Sequence, residues 1–276
     1  MCIIFYFIAI GYFIYKFIHF AGKENFTLQY YSMKLNETNK INFGKDKTAF
    51  AFALTNDNKK DDNLKDLLTI EVNFTNQKNK KNSKKIQFRP CKYSDLPIKY
   101  SEINSTLINI TIQDLNCIDK QDLSEYEPEG IYTDDNFTYY EITIKLNSDN
   151  KASNLSYINE YLTKNDIKFQ FYYTDISFDV TNKAYPFSPF IDSMFIQLNP
   201  TLIQKRNIFF LNYILTKEST DVLSPIRHSY FSYSQTGLSR IEDYALYKGL
   251  SERNMDDSKN RYLYAKIYIR ADNQEV

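Results

Sequence analysis

Period-two alternation is the feature that most constrains the fold of this chain. Many short segments alternate apolar with polar residues and are rich in β-branched or aromatic side chains, which is typical of half-buried strands. The clearest are Lys47–Leu54, Leu68–Phe74, Leu107–Ile112, Tyr139–Leu146, Ile167–Tyr173, Phe195–Leu198, Ile208–Leu215, His228–Ser234 and Tyr262–Arg270. Short strands joined by polar loops predict a mainly β protein.

The last of these segments shows the pattern best. Tyr262, Tyr264, Lys266, Tyr268 and Arg270 alternate with Leu, Ala and Ile. Such a strand has one buried and one solvated face, as antiparallel sheets do. Aromatic residues make up 16% of the chain, with 24 Tyr and 21 Phe, so the chain has enough apolar surface for a real core. We therefore expect an antiparallel β-sandwich-like domain.

Helices and loops are expected at few places. Ala152–Lys164 and Leu238–Leu250 carry apolar residues at helical spacing, which predicts one or two short helices. Ser153 would cap the first of them. The basic run Lys78–Lys85 resembles an import signal or a nucleic-acid patch, but a solvated hairpin loop is the interpretation we favour, because a nuclear address does not agree with a membrane span.

The N-terminus predicts a membrane anchor. Cys2–Tyr15 carries no charge, and twenty helical residues at about 1.5 Å each span about 30 Å, one bilayer core. A cleaved signal peptide is the alternative, although no Lys or Arg precedes the apolar run. Lys16 can reach the interface with its long stem. We predict a transmembrane helix at 1–21, a linker at 22–46 and a β-rich domain at 47–276.

The cysteines predict a disulfide. Cys2 lies in the anchor, which leaves Cys91 and Cys117 for the domain. In an oxidising compartment such a pair most simply forms a disulfide, and two separate buried thiols are the alternative.

The glycosylation sequons, like the cysteine pair, indicate a domain outside the cytosol. The chain has seven N-x-S/T sites, which are glycosylation acceptors in secreted or lumenal domains. They are Asn25, Asn36, Asn73, Asn104, Asn109, Asn136 and Asn154. Together with the anchor and the cysteine pair, they predict a domain on the lumenal or extracellular side of the plasma membrane or the secretory pathway.

No motif predicts catalysis. The sequence contains no GxSxG, P-loop, GxGxxG or HExxH motif. Of its two His residues, His19 lies in the anchor and His228 in a strand pattern. Asp61–Asp62 and Asp134–Asp135 could be proposed as acid/base or Ca²⁺ groups, but their spacing is that of ordinary loop acids. We therefore expect that the protein has no catalytic residue, metal site or cofactor and is not an enzyme.

The most distinctive segment is Phe171–Phe190, with the sequence FYYTDISFDVTNKAYPFSPF. A strand is expected to end near Asp175–Asp179, followed by a turn at Thr181–Asn182 and an extended Pro-Phe segment. That segment could be an exposed aromatic-proline edge for binding. Alternatively, it crosses over the sandwich and packs its Phe residues on it.

Together with Arg89-Pro90-Cys91, Asn116-Cys117 and the strand Ile208–Thr216, this run resembles a group of transmembrane proteins of ciliates such as Tetrahymena. The resemblance covers most of the chain. It implies an N-terminal span, a lumenal or extracellular domain and, usually, a second C-terminal span beyond a basic segment. The chain ends at Val276, which predicts a truncated chain or a single-span relative. The family brings no established activity.

Two hypotheses on function follow. The first is a membrane-anchored, glycosylated ectodomain that binds or supports another component at the surface. The alternative, implied by the resemblance, is the ectodomain fragment of a two-span channel or receptor subunit. The partners expected are membrane lipid at residues 1–21 and other membrane or surface proteins. Nucleic acid is not expected, because the formal net charge is +0 and a nucleic-acid-binding domain is usually basic.

Overall fold

The structure is a computed structural model of residues 1–276. The residues it describes are 2–21, 40–41, 43, 50–56, 59–61, 63–78, 83–96, 111–130, 137–147, 155–178, 187–220, 228–247 and 263–272. Two compact units are present. One comprises Met1–Lys34 with Leu215–Tyr233 and Val276, and the other comprises Leu35–Ile214 with Ser234–Glu275.

The described part is mainly β, as the alternation predicts. Its helices are α1 (Cys2–Ala21), α2 (Asn63–Leu67), α3 (Lys120–Glu125) and α4 (Leu155–Lys164). Its strands are β1 (Phe50–Asn56), β2 (Lys59–Lys60), β3 (Leu68–Asn76), β4 (Lys84–Ile86), β5 (Phe88–Pro90), β6 (Asn116–Ile118), β7 (Thr138–Leu146), β8 (Ile167–Phe178), β9 (Phe187–Gln197), β10 (Leu202–Thr220), β11 (His228–Tyr247) and β12 (Leu263–Ala271).

The strands form two sheets. Sheet 1 has the order β5-β6-β1-β8-β9, with β2 pairing alongside β1. Sheet 2 has the order β11-β10-β12-β7-β3-β4. Neighbours are antiparallel in the pairs β1–β8, β8–β9, β3–β7 and β7–β12. By contrast, β10 and β12 run parallel, so the expectation of a purely antiparallel arrangement is wrong at this pair.

Both sheets contribute to one hydrophobic cluster. Phe52 and Phe171 of sheet 1 belong to it, as do Ile142 and Ile267 of sheet 2, all with at most 1% exposure. Aromatic rings make direct contacts between the sheets. The ring centroids of Phe50 and Tyr140 lie 5.5 Å apart, and those of Tyr173 and Phe210 lie 6.0 Å apart. These are distances at which aromatic pairs attract each other.

A second, smaller core covers the other face of sheet 1. Strand β1 alternates large and small residues: Phe50 and Phe52 enter the main cluster, whereas Ala51 and Ala53 enter the smaller one. The small side chains leave room for a covering layer formed by Cys91–Leu96 and Ile112–Cys117. We call these two segments the disulfide layer. Both faces of β1 are therefore buried.

Two local predictions hold where the chain is described. The helix predicted at Ala152–Lys164 is present as α4, from Leu155, and Ser153 lies outside the described residues. The basic run Lys78–Lys85 connects β3 to β4, which pair as an antiparallel hairpin. The structure therefore favours the hairpin interpretation of this run.

One other local prediction is wrong, and a second lies largely outside the described residues. The helix predicted at Leu238–Leu250 is absent over its described residues, because β11 continues as a strand to Tyr247 and lies next to β10. Sheet pairing here overrides a local helical pattern. The strand predicted at Leu107–Ile112 falls mostly outside the described residues, and its described end is a 3₁₀ turn, Ile112–Asp114.

Helix α1 is present where the anchor is predicted, over Cys2–Ala21. Its apolar side chains are exposed, from Phe5 at 77% to Ile18 at 63%. Among the helices that the structure describes, none has both the length and the apolar character needed to cross a membrane. The transmembrane helix predicted at residues 1–21 is thus not found.

Candidate functional site

The predicted pairing of Cys91 with Cys117 is present. Their sulfur atoms lie 2.01 Å apart, their Cα atoms lie 5.0 Å apart, and they are separated by 26 residues. Both side chains are buried, and the Cys91 amide donates a hydrogen bond of 2.9 Å to the Leu115 carbonyl. Backbone pairing and the covalent bond therefore hold the two segments of the disulfide layer together over β1.

Arg89 joins the chain on both sides of the disulfide. Its Nη1 and Nη2 atoms donate to the two carboxylate oxygens of Asp95, at 2.7 and 3.1 Å. Its Nε donates to Asp119 Oδ1 at 2.7 Å. Asp95 follows Cys91, whereas Asp119 follows Cys117. A planar guanidinium with its fork of donors can make both contacts at once, which a lysine cannot.

The surroundings of Asp95 lower the pKa of its carboxyl group. Burial alone would raise the pKa of its carboxyl, but hydrogen bonds from Arg89 and from the Lys92 amide outweigh that effect and lower the pKa. The Asp95 hydrogen bond is also the largest cause of the raised pKa of Arg89. The pair is therefore ionised and serves to fix the disulfide layer.

Strand β9 is the edge of sheet 1 on the side away from the disulfide. The segment Phe171–Phe190 belongs to a hairpin: β8 and β9 pair antiparallel from Phe178↔Phe187 to Lys168↔Gln197. The turn predicted at Thr181–Asn182 lies outside the described residues. The Pro-Phe segment is therefore the beginning of a sheet strand and not a strap crossing over the sheet.

Phe195 is the most exposed large apolar side chain described on β9, at 57%. The Lys168 ammonium lies 5.3 Å from its ring centroid, a cation–π distance. Asp166 forms an ion pair with the same lysine. The Phe195 carbonyl accepts a hydrogen bond of 2.7 Å from Arg206 Nη1, and Arg206 is in turn held by Asp243. Side chains from two other strands thus converge on Phe195.

A third polar cluster surrounds Asp61. Its carboxylate accepts hydrogen bonds from Tyr161 Oη, from Asn56 Nδ2 at 3.2 Å and from the Asn63 amide at 3.0 Å. Burial would raise the pKa of Asp61, but these hydrogen bonds outweigh that effect and lower it. Burial and the contact with Asp61 raise the pKa of Tyr161 to about 12. The cluster connects the loop after β1 to α4.

None of these clusters forms a metal site. Within the described ranges, no group of three or more His, Cys, Asp or Glu side chains is placed to hold a metal ion. Asp61 has the partners just named, whereas Asp62 and Asp134–Asp135 lie outside those ranges. His228 begins β11, and its side chain is not among those described.

Asn73 is the predicted glycosylation site that the structure describes. It lies in the middle of β3, half-buried, with Lys85 and Glu141 as its neighbours across the sheet. Thr75 of the same sequon is buried at 5% exposure. The remaining sequon asparagines lie outside the described residues and stay predictions. They are Asn25, Asn36, Asn104, Asn109, Asn136 and Asn154.

Sequence reasoning missed Asp119, Arg206 and Asp243. Arg206 and Asp243 are 37 residues apart, and Arg89 and Asp119 are 30 apart. No local spacing connects residues so distant along the chain. Arg206 lies in the polar run Gln204–Asn207, just before the predicted strand Ile208–Leu215, so its charge gave no signal of a partner.

Comparison with known proteins gives one match. The family model described as the uncharacterised 80 kDa protein N-terminal domain matches residues 49–272, a range that includes the disulfide layer and β9. Searches of the curated proteins and of the solved structures give no match. The family's description says nothing of organism or membrane, so the resemblance to ciliate transmembrane proteins stays a prediction. Because the matched range covers most of the chain, this protein belongs to the family of the uncharacterised 80 kDa protein N-terminal domain.

Proposed function

We propose that this chain is a membrane-attached, glycosylated ectodomain that binds or supports another surface component from the lumenal or extracellular side. The observation that carries the proposal is the disulfide between Cys91 and Cys117. Structural disulfides form and persist in oxidising compartments and are rare in the cytosol. A disulfide at the base of a covering layer suits a domain that works outside the cytosol.

The proposed attachment is through α1. Its exposed side chains include Phe7, Ile8, Phe13 and Phe17, at 49% to 71% exposure. Each apolar side chain moved from water into an apolar phase contributes about 1.5–3 kcal/mol. A lipid surface is the partner that suits a helix with apolar side chains exposed along its length. Lys16, whose ammonium lies 5.7 Å from the Tyr12 ring centroid, would sit at headgroup level.

We further infer that the two sheets form the layers of a sandwich. The shared hydrophobic cluster and the contacts Phe50–Tyr140 and Tyr173–Phe210 support this arrangement. The proposal gives the domain no catalytic, cofactor or nucleic-acid role. The polar clusters around Arg89, Asp61 and Arg206 act between protein segments, which suits a structural or binding scaffold. The channel or receptor alternative has no specific support among the described residues and stays a prediction.

Alkaline extraction tests the attachment. The intact chain is expressed in eukaryotic cells, and the membranes are washed with carbonate. The wild-type chain is expected to stay in the membrane pellet. Ile8→Lys with Phe13→Lys should release it, because each charge costs about 2.5–3.5 kcal/mol in an apolar phase.

Tyr157→Lys is the matched control, because that side chain is 55% exposed on α4 and should leave the pellet unchanged. Recovery of the wild-type chain in the carbonate supernatant would contradict the proposed attachment.

A further inference from the structure

An uncovered sheet edge can recruit a further strand, and β9 is a long edge. It has 11 residues and stands last in the order of sheet 1. Unpaired N–H and C=O groups on such an edge are a template for pairing with another chain. The hydrogen bonds of β9 show how it avoids pairing with another chain.

The direction of the β9 backbone groups follows from its ladder. The Leu198 amide, directly after the strand, bonds to the Ile167 carbonyl on the β8 side at 2.8 Å. Backbone groups alternate along a strand, so even-numbered β9 residues bond to β8 and odd-numbered ones point away from it. Pro189, which has no N–H, stands at an outward position, as proline in an edge strand should.

At two further residues, an outward-pointing backbone group is hydrogen-bonded to a side chain. The Ser193 amide donates to Asp192 Oδ1 at 2.7 Å. The Phe195 carbonyl accepts from Arg206 Nη1 at 2.7 Å. Asp243 orients the same guanidinium through its other two nitrogens, Nε and Nη2. Of the outward-pointing residues from Pro189 to Phe195, only Ile191 keeps both backbone groups available in the described contacts. Each of the others lacks its N–H or has one backbone group bonded to a side chain.

Two of the other described edges, β5 and β4, are protected locally. Strand β5 has three residues and ends at Pro90, and β4 carries the exposed Lys84 and Lys85. Short strands, proline and lysine are the usual protections of an edge. At β9, by contrast, a residue of the other sheet provides the protection, since Arg206 belongs to β10.

We propose that the Arg206–Asp243 pair is an edge guard that keeps β9 from pairing with β9 of a second copy. Two identical strands paired antiparallel about Ser193 would place Phe195 of each copy opposite Ile191 of the other. Apolar residues would then meet on one face, and the outward N–H and C=O groups would match around a two-fold axis. With the guanidinium on the Phe195 carbonyl, that ladder cannot form.

Sedimentation equilibrium of the intact chain in detergent tests the guard. Arg206→Ala is expected to dimerise at least tenfold more tightly than the wild-type chain. Asp243→Ala, which keeps the guanidinium but loses its orientation, should lie between the two. If neither variant associates more tightly than the wild-type chain, the guard is refuted.

A proline distinguishes strand pairing from non-specific association of a damaged fold. Because the Phe195 amide points outward, Phe195→Pro removes an edge donor without removing a bond to β8. In the Arg206→Ala background, Phe195→Pro should restore wild-type association. Phe195→Ala in the same background, which loses the ring but keeps the amide, should still dimerise. Equal association of the two double variants would overturn the proposal.

Discussion

Arg89 and Asp95 form a two-point ion pair beside the disulfide, with Nη1–Oδ2 at 2.7 Å and Nη2–Oδ1 at 3.1 Å. The Asp95 side chain is only 8% exposed. Its partner also reaches Asp119, so a single guanidinium connects the two ends of the segment that the disulfide closes.

Arg89→Ala should destabilise the domain by about 2 kcal/mol, because it leaves a largely buried carboxylate without its charged donor. Urea unfolding measures the change. Arg89→Lys should recover only part of it, since an ammonium cannot reproduce the two-point contact. The exposed pair Lys164–Glu160 on α4 is the control, and Lys164→Ala should cost less than about 0.5 kcal/mol. Equal losses for Arg89→Ala and Lys164→Ala would contradict this assignment.

The same pair predicts how stability depends on pH. The folded-state pKa of Asp95 is lowered from its ordinary value of 3.8. Its contribution to the free energy of unfolding is therefore present above about pH 4 and is lost as the pH falls through the folded-state pKa. Asp95→Asn should lower stability at neutral pH and flatten the loss below about pH 4. Unfolding titrations at several acidic pH values check this, and an unchanged slope would show that other carboxylates dominate.

Removing the disulfide should cost about 3.5 kcal/mol by the loop-entropy relation for a loop of this length. Cys91→Ser with Cys117→Ser is the variant, and urea unfolding is the measurement. Cys2→Ser is the matched control and should leave the domain's stability unchanged. A double variant as stable as the wild-type chain would show that backbone pairing and Arg89 hold the disulfide layer without the covalent bond.

The raised pKa of Tyr161 leads us to expect a loss of stability at alkaline pH. Its pKa is raised to about 12, compared with about 10 in an unfolded chain. The fold therefore favours the neutral phenol, and this contribution is complete below about pH 10 and lost as the pH rises towards 12. Tyr161→Phe should be less stable at neutral pH and lose less between these values. A wild-type slope in the variant would place the alkaline sensitivity elsewhere.

Local patterns predicted the parts of the fold that local chemistry determines. The alternation of Tyr262–Arg270 predicted β12, because one face of that strand enters the core and the other is only half-buried. The helical spacing of Ile158 and Leu162 predicted α4 for the same reason, since both side chains are buried. The pairing of Cys91 with Cys117 followed from a simple count of the cysteines outside the anchor.

Long-range pairing determines the rest. The stretch after Leu238 carries a helical stripe, yet it is extended because it lies along β10, and Asp243 meets Arg206 there. The parallel β10–β12 pair joins segments on either side of β11, which no local pattern indicates. The clusters around Arg89 and Arg206 depend on these pairings and could not be predicted before the sheets were known.

Endoglycosidase treatment of the intact chain from eukaryotic cells tests the central claim most directly. A glycosylated lumenal or extracellular domain should show increased gel mobility after treatment, because the sequon asparagines carry N-linked glycans on that side of the membrane. Substituting Gln for all seven sequon asparagines should remove the shift. Unchanged mobility of the wild-type chain after treatment would contradict a lumenal or extracellular location.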